Sequence, residues 1–152
     1  MFALGALRRG KEIEQFLGPV ERGGRRGVRW IALSPGRAGV GVYLQEVEDI
    51  PSDTFRDITE QLPLDPDDET WGKKIATVAT PEEAITLAER EFGAIADRWV
   101  NLGFVGDEYY DYVTSGRPDH VQQSERRRSS APLTQNTRHS SRGTGPSHES
   151  QT

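Results

Sequence analysis

The stretch from Gly27 to Asp49, GVRWIALSPGRAGVGVYLQEVED, constrains the fold more than any other, being the longest run of strand-forming residues and carrying its own turn. Val28, Trp30 and Ala32 alternate with Arg29, Ile31 and Leu33, and Val40, Val42 and Leu44 alternate with Gly41, Tyr43 and Gln45. That is the period of two of paired strands. Between the runs, Ser34-Pro35-Gly36 offers a fixed φ at proline and a permissive glycine, which places the reversal there. The pattern predicts a central β-hairpin over residues 28–47.

Around it, Lys11 to Leu17 reads as a first strand, with Ile13 and Leu17 on one face and Glu12 and Glu14 on the other, ended by Gly18-Pro19. Glu21 to Gly27, ERGGRRG, reads as a glycine-punctuated loop. After Pro51-Ser52, residues 53–64 fit two patterns: Phe55, Ile58 and Leu62 fall at helical spacing, whereas Ile58, Leu62 and Leu64 fit one face of a strand. Pro63 and the β-branched Thr54, Ile58 and Thr59 favour a strand antiparallel to the hairpin. Asp65 to Gly72 is an acidic loop with Trp71 as its large anchor. Ile75 to Val78 reads as a strand, and Thr80-Pro81-Glu82-Glu83 combines an N-cap, a proline at the first helical position and a capping-box glutamate. The helix this opens, 81–92, shows Ala84, Ile85, Leu87, Ala88 and Phe92 on one side and ends at Gly93. Val100, Leu102 and Phe104 alternate as a last strand or extended loop packed by Trp99. Asp107 is placed to cap a short helix, 107–115, with Tyr109, Tyr112 and Val113 on one face and Gly116 closing it.

The fold class expected is therefore α+β: a mostly antiparallel sheet of four to six strands, the main helix 81–92 packed on one face, and a short helix near the end. Residues 1–116 form the single folded domain of this reading. From Arg117 onward Ser, Arg, Gln, Thr, Gly and Pro dominate, with Val121 and Leu133 the main apolar residues. Such a segment buries too little to offset its ordering entropy, so 117–152 reads as a disordered polar tail.

Several kinds of chemistry are disfavoured by what the chain contains. Cysteine is absent, which excludes disulfides, thiolate metal sites and thiol nucleophiles. All three histidines, His120, His139 and His148, lie in the tail, which removes the commonest general base and nitrogen ligand from the domain. Ser34, Ser52 and Ser115 have turn, cap or helix-end positions and no histidine partner there. Asp65-Pro66-Asp67-Asp68-Glu69 departs from a calcium loop, having no glycine at the sixth position and no glutamate at the twelfth. The glycines at 36, 39 and 41 precede a strand rather than open a helix, unlike a dinucleotide fingerprint, and there is no P-loop. Acid–base work by two carboxylates across a cleft stays open, yet no pair stands out among the eighteen of residues 46–116, and no enzyme activity, cofactor or metal is expected. MFALGALRRG is too short, too interrupted and wrongly flanked for a signal peptide, and no run reaches the roughly 18 apolar residues of a membrane span. The simplest compartment is the cytoplasm. Lysine is confined to Lys11, Lys73 and Lys74 while arginine is abundant, a bias typical of a GC-rich bacterial genome.

Charge is sorted along the chain. Residues 1–45 carry a net +5, residues 46–116 a net −13 and the tail a net +3, within an overall −5. The acidic block suggests a non-enzymatic module that docks a basic protein partner, of the immunity or inhibitor kind. Its contributors would be Glu46, Glu48 and Asp49 at the hairpin end, then Asp53, Asp57, Glu60, Asp65, Asp67, Asp68 and Glu69, with Tyr110 as an exposed aromatic contact. The alternative is nucleic-acid binding through Arg8, Arg9, Arg22, Arg25, Arg26 and Arg29, assisted by Arg126, Arg127 and Arg128 in the tail. The single Arg22-Gly23-Gly24-Arg25 segment also reads as a solvated turn. The obstacle to the alternative is that the −13 block repels the same phosphates.

Overall fold

The structure is a computed structural model, described here for residues 2–50, 57–67 and 72–119. Helix α1 (Phe2–Arg8) leads into strands β1 (Ile13–Arg22), β2 (Arg25–Gly36) and β3 (Gly39–Glu48). A 3₁₀ turn follows (Ile58–Glu60), then β4 (Lys73–Val78), helix α2 (Pro81–Phe92), the short β5 (Val100–Asn101) and helix α3 (Val105–Thr114). The strands form one antiparallel sheet in the order β4-β3-β2-β1-β5. The fold is α+β with the central hairpin and main helix expected from the sequence.

The hairpin turns later than Ser34-Pro35-Gly36. Pro35 pairs with Val40 and Gly36 with Gly39, so the reversal falls on Arg37-Ala38. Proline fits inside this strand because backbone N–H directions alternate. Gly36 closes the turn against β3, so the Pro35 nitrogen faces away, where β1 has already stopped at Ile13 opposite Leu33.

Nor does β1 end at Gly18-Pro19. It continues to Arg22, and Arg22 pairs with Arg25 across Gly23-Gly24. Both glycines have positive φ, 57° and 75°, as a two-residue hairpin turn of type I′ requires. The ERGGRRG segment is thus strand, turn and strand. Between Phe16 opposite Trp30 and Gly18 opposite Arg29 the register shifts at Leu17, a bulge that swaps which residues face which side. Pro19 faces its nitrogen to the open edge of β1, by the same alternation that applies at Pro35.

Both faces of the sheet are covered. Ala3, Ala6 and Leu7 of α1 and Ala84, Ile85 and Ala88 of α2 pack on Ile13, Ile31, Leu33, Val40 and Val42. On the opposite face Tyr109, Tyr112 and Val113 of α3, with Ile58, pack on Phe16, Val28, Trp30 and Val47. Phe16 meets Tyr109 edge-on with ring centroids 6.1 Å apart. Double burial explains why Ile13 to Phe16 shows no polar side: all four are buried, including Glu14, which the alternation assigned to the outer face. Gln15 uses its amide as a substitute strand partner, donating to the Ile95 carbonyl (2.9 Å) and accepting from the Ile95 N–H (2.7 Å).

Helix α2 has the ends its sequence announces. Thr80 Oγ1 accepts from the Glu83 N–H (3.2 Å), Glu83 accepts from the Ala79 N–H (3.1 Å), and Gly93 sits at φ 72°. Helix α3 starts two residues earlier than expected, and Asp107 lies within its first turn instead of capping it. Its cap comes from far away: Glu14 Oε1 accepts from the N–H groups of Gly103 and Val105, both at 2.8 Å. Helix α1 was not foreseen, because a seven-residue helix has too few turns to show a period and survives only by packing. The strand expected over 53–64 is a 3₁₀ turn plus one bridge, Val47 to Pro63, with residues 53–56 outside the described ones. The extended run 100–104 forms only a two-residue strand; Leu102 and Phe104 are about half exposed (51% and 53%). The proposed tail falls outside the described residues from 120 onward, whereas Arg117 is bonded into the body of the fold.

Candidate functional site

The β1–β2 turn sets the charge pattern at one end of the sheet. Arg22 and Arg25 stand on the same face as Glu46 and Glu48, since Gly27 pairs with Glu48 and Arg29 with Glu46. Arg22 grips Glu46 through two bonds of 2.9 Å, and Arg25 pairs with Glu48. Glu46 holds the Arg22 guanidinium above its ordinary pKa, chiefly through that hydrogen bond. Asp49, only 1% exposed at its side chain, accepts from the Tyr109 hydroxyl (2.7 Å) and Arg117 Nε (3.0 Å). Three carboxylates expected to face a partner are therefore engaged inside the chain. Charges separated along the sequence meet because β1, β2 and β3 are neighbours.

The segment 57–67 behaves differently. The Glu48 backbone N–H donates to the Leu62 carbonyl (2.9 Å) and the Leu64 N–H to the Glu46 backbone carbonyl (3.0 Å), so residues 62–64 extend the row of β4 along β3. Leu64 is buried over Gly27, where a side chain would collide with Leu64 and with the Val47 carbonyl. Leu62 points out and is 68% exposed. Around it Asp57 caps the 3₁₀ turn by accepting from the Thr59 N–H (3.1 Å), and Asp65 accepts from the Asp67 N–H (3.0 Å). Glu60 and Asp67 are exposed and make no salt bridge among the described residues. Asp53, Asp68 and Glu69 lie outside the described residues. Tyr110 is half-buried on α3, on a different element from this ridge.

Between Leu64 and Lys73 the β4 row is interrupted, and a cleft of about 580 Å³ opens there. Leu44, Leu64 and Ile75 supply its apolar surface; Arg22, Arg25, Lys73, Glu46 and Asp65 supply its charges. With Arg22 and Arg25 paired, its polar character is balanced, and the unneutralised acids sit on the adjoining ridge.

The arginines do not assemble into a stripe. Arg8 at the end of α1 pairs with Glu82. Arg22 and Arg25 are taken by glutamates, while Arg26 lies on the opposite face of the sheet, donating to the Tyr112 hydroxyl (3.3 Å) and the Arg117 carbonyl (3.4 Å). Arg29 is half-buried and its Nε has no acceptor among the described residues. Arg9 is exposed at the α1 terminus, and Arg126, Arg127 and Arg128 lie outside the described residues.

Sequence reasoning missed the polar cluster under α3. Besides Asp49, Arg117 donates to the Ile50 carbonyl (3.1 Å), and Gln61 donates to the Tyr109 hydroxyl (3.3 Å). Burial raises the pKa of Tyr109, with Asp49 adding to it, so the phenol keeps its proton and acts as a tie rather than a base. Arg117 adopts φ 51°, unusual for a side chain other than glycine, which was no more visible in the sequence than its partner. Among the described residues no three His, Cys, Asp or Glu side chains converge as a metal site, and no helix is long and apolar enough to cross a membrane. No family model, curated protein or solved structure matches the chain.

Proposed function

We propose that this chain is a non-enzymatic binding module that docks a basic protein, in an immunity- or inhibitor-type role, and that the contact is the ridge 57–67. The observation that carries the reading is Leu62, 68% exposed, held between Glu60 and Asp67 on a backbone bonded to β3. An exposed apolar side chain on a segment rich in acids combines the two things such a contact uses, with the acids guiding a cationic partner and the leucine supplying buried area. The expected contributors from the acidic block are Asp57, Glu60, Asp65 and Asp67.

The test is capture on the immobilised full chain from a lysate of its own organism, with mass spectrometry of what is retained. A cationic protein should bind, elute in roughly 0.5 M salt as screening shortens to a few ångströms, and be lost from Glu60→Lys/Asp67→Lys and from Leu62→Ser. Circular dichroism of those variants should match the wild type. A retained protein that ignores salt and all three substitutions would overturn the reading.

A further inference from the structure

A second surface lies at the opposite edge of the sheet, beside β5. Phe2 of α1 and Phe104 before α3, 47% and 53% exposed, flank a shallow hollow of about 400 Å³. Trp99, Val100 and Asn101 also line it, and Asp107 and Glu108 stand on its rim. The charged groups among its described lining residues are these two carboxylates. Arg98 holds Glu108 at 3.0 Å, whereas exposed Asp107 makes no salt bridge among the described residues.

The Phe104 side of the hollow is tied in place. The N–H groups on either side of Phe104, those of Gly103 and Val105, are fixed by buried Glu14, and the Phe104 N–H itself donates to the Asn101 carbonyl (3.2 Å). An aromatic ring presented to water on a backbone tied at three consecutive residues loses little entropy on binding. Trp99 is 5% exposed, and its indole N–H has no acceptor among the described residues.

We infer that this hollow docks a basic, aliphatic segment of a partner protein, with an aliphatic side chain between Phe2 and Phe104 and an adjacent lysine or arginine on Asp107. Charge complementarity selects this occupant: Asp107, exposed on the rim and without a salt bridge among the described residues, repels acidic segments, and the phenylalanine pair rejects fully polar ones. The surface is independent of the ridge 57–67, which borders β3 on the β4 side of the sheet.

The experiment titrates the ¹⁵N-labelled full chain with a capped hexapeptide of alternating lysine and leucine, following the Trp99 indole N–H resonance. A hexapeptide of alternating glutamate and leucine serves as the control. A saturable shift with the basic peptide is expected, with the acidic peptide at least tenfold weaker. Phe104→Ser and Asp107→Lys should each weaken binding about tenfold or more, while Glu60→Lys/Asp67→Lys leaves it unchanged. Equal binding of both peptides, or indifference to Phe104→Ser, overturns the inference. So does concentration-dependent self-association abolished by Phe104→Ser, which would make the occupant a second copy, or Phe104-dependent transfer onto anionic vesicles without peptide binding. Loss of peptide binding in Glu60→Lys/Asp67→Lys would overturn the separation of the two surfaces.

Discussion

Replacing Glu14 separates the two roles the fold gives it. Its side chain sits in a position 3% exposed, and one oxygen accepts from both Gly103 and Val105. Glu14→Ala takes the acceptor from one buried N–H group, that of Val105, and from the part-buried N–H of Gly103, and strips the cap from α3. At about 1–3 kcal/mol for each orphaned donor, reduced where water enters the vacated space, the expected loss is about 3 kcal/mol. That is a large part of the ~5–15 kcal/mol typical of a domain. Glu14→Gln keeps an acceptor oxygen in the same place and removes the charge, so it should cost about 1 kcal/mol or less. The two variants also differ in pH response. Burial pushes the Glu14 carboxyl above its ordinary 4.5, outweighing the lowering effect of the Val105 and Gly103 N–H groups. A folded value above the unfolded one means that the folded protein holds the proton more tightly. This contribution to stability is therefore complete below about 4.5 and is lost as pH rises through the folded value. Urea unfolding of wild type and Glu14→Gln, from about pH 4 to about pH 7, should show the wild type losing stability relative to the glutamine variant. A wild type that gains on Glu14→Gln with rising pH would refute the dominance of burial. A Glu14→Ala variant within about 0.5 kcal/mol of wild type would refute the cap.

Two further perturbations probe the ends of the sheet. Arg117→Ala should cost about 2–3 kcal/mol in urea unfolding by removing the guanidinium paired with buried Asp49, and Arg117→Gly about 1 kcal/mol less, since glycine accepts φ 51° freely; equal losses would show that the backbone there is unstrained. Gly27→Val should cost more than about 2 kcal/mol, because its side chain would press on Leu64 and the Val47 carbonyl, and adding Leu64→Ala should fail to restore stability because the carbonyl remains. Full recovery in the double variant would assign the clash to Leu64 alone.

How much of this was legible follows from the range over which each signal acts. The hairpin, α2 and the tyrosine face of α3 depend on neighbours within a few residues, and their patterns were readable. Thr80, Pro81 and Gly93 mark the ends of α2 in the sequence and do so in the structure. The turn at Arg37-Ala38 was displaced because Ser34-Pro35-Gly36 has better turn chemistry, and only the end of β1 at Ile13 frees the far side of Pro35. The candidate site was half legible. The acids of 57–67 are plain in the composition, whereas the pattern puts Leu62 on the apolar face of a strand and the structure exposes it.

Local pattern determined on its own that this chain makes an antiparallel hairpin, a capped amphipathic helix and a strongly acidic middle. Which of the acidic residues are paired within the chain was decided only when β1 and β2 laid Arg22 and Arg25 beside Glu46 and Glu48, and Arg117, after α3, reached Asp49. The reason is that charge along a chain is additive and charge across a surface is not. Attraction falls with distance in space, and strand order sets that distance independently of separation in the sequence.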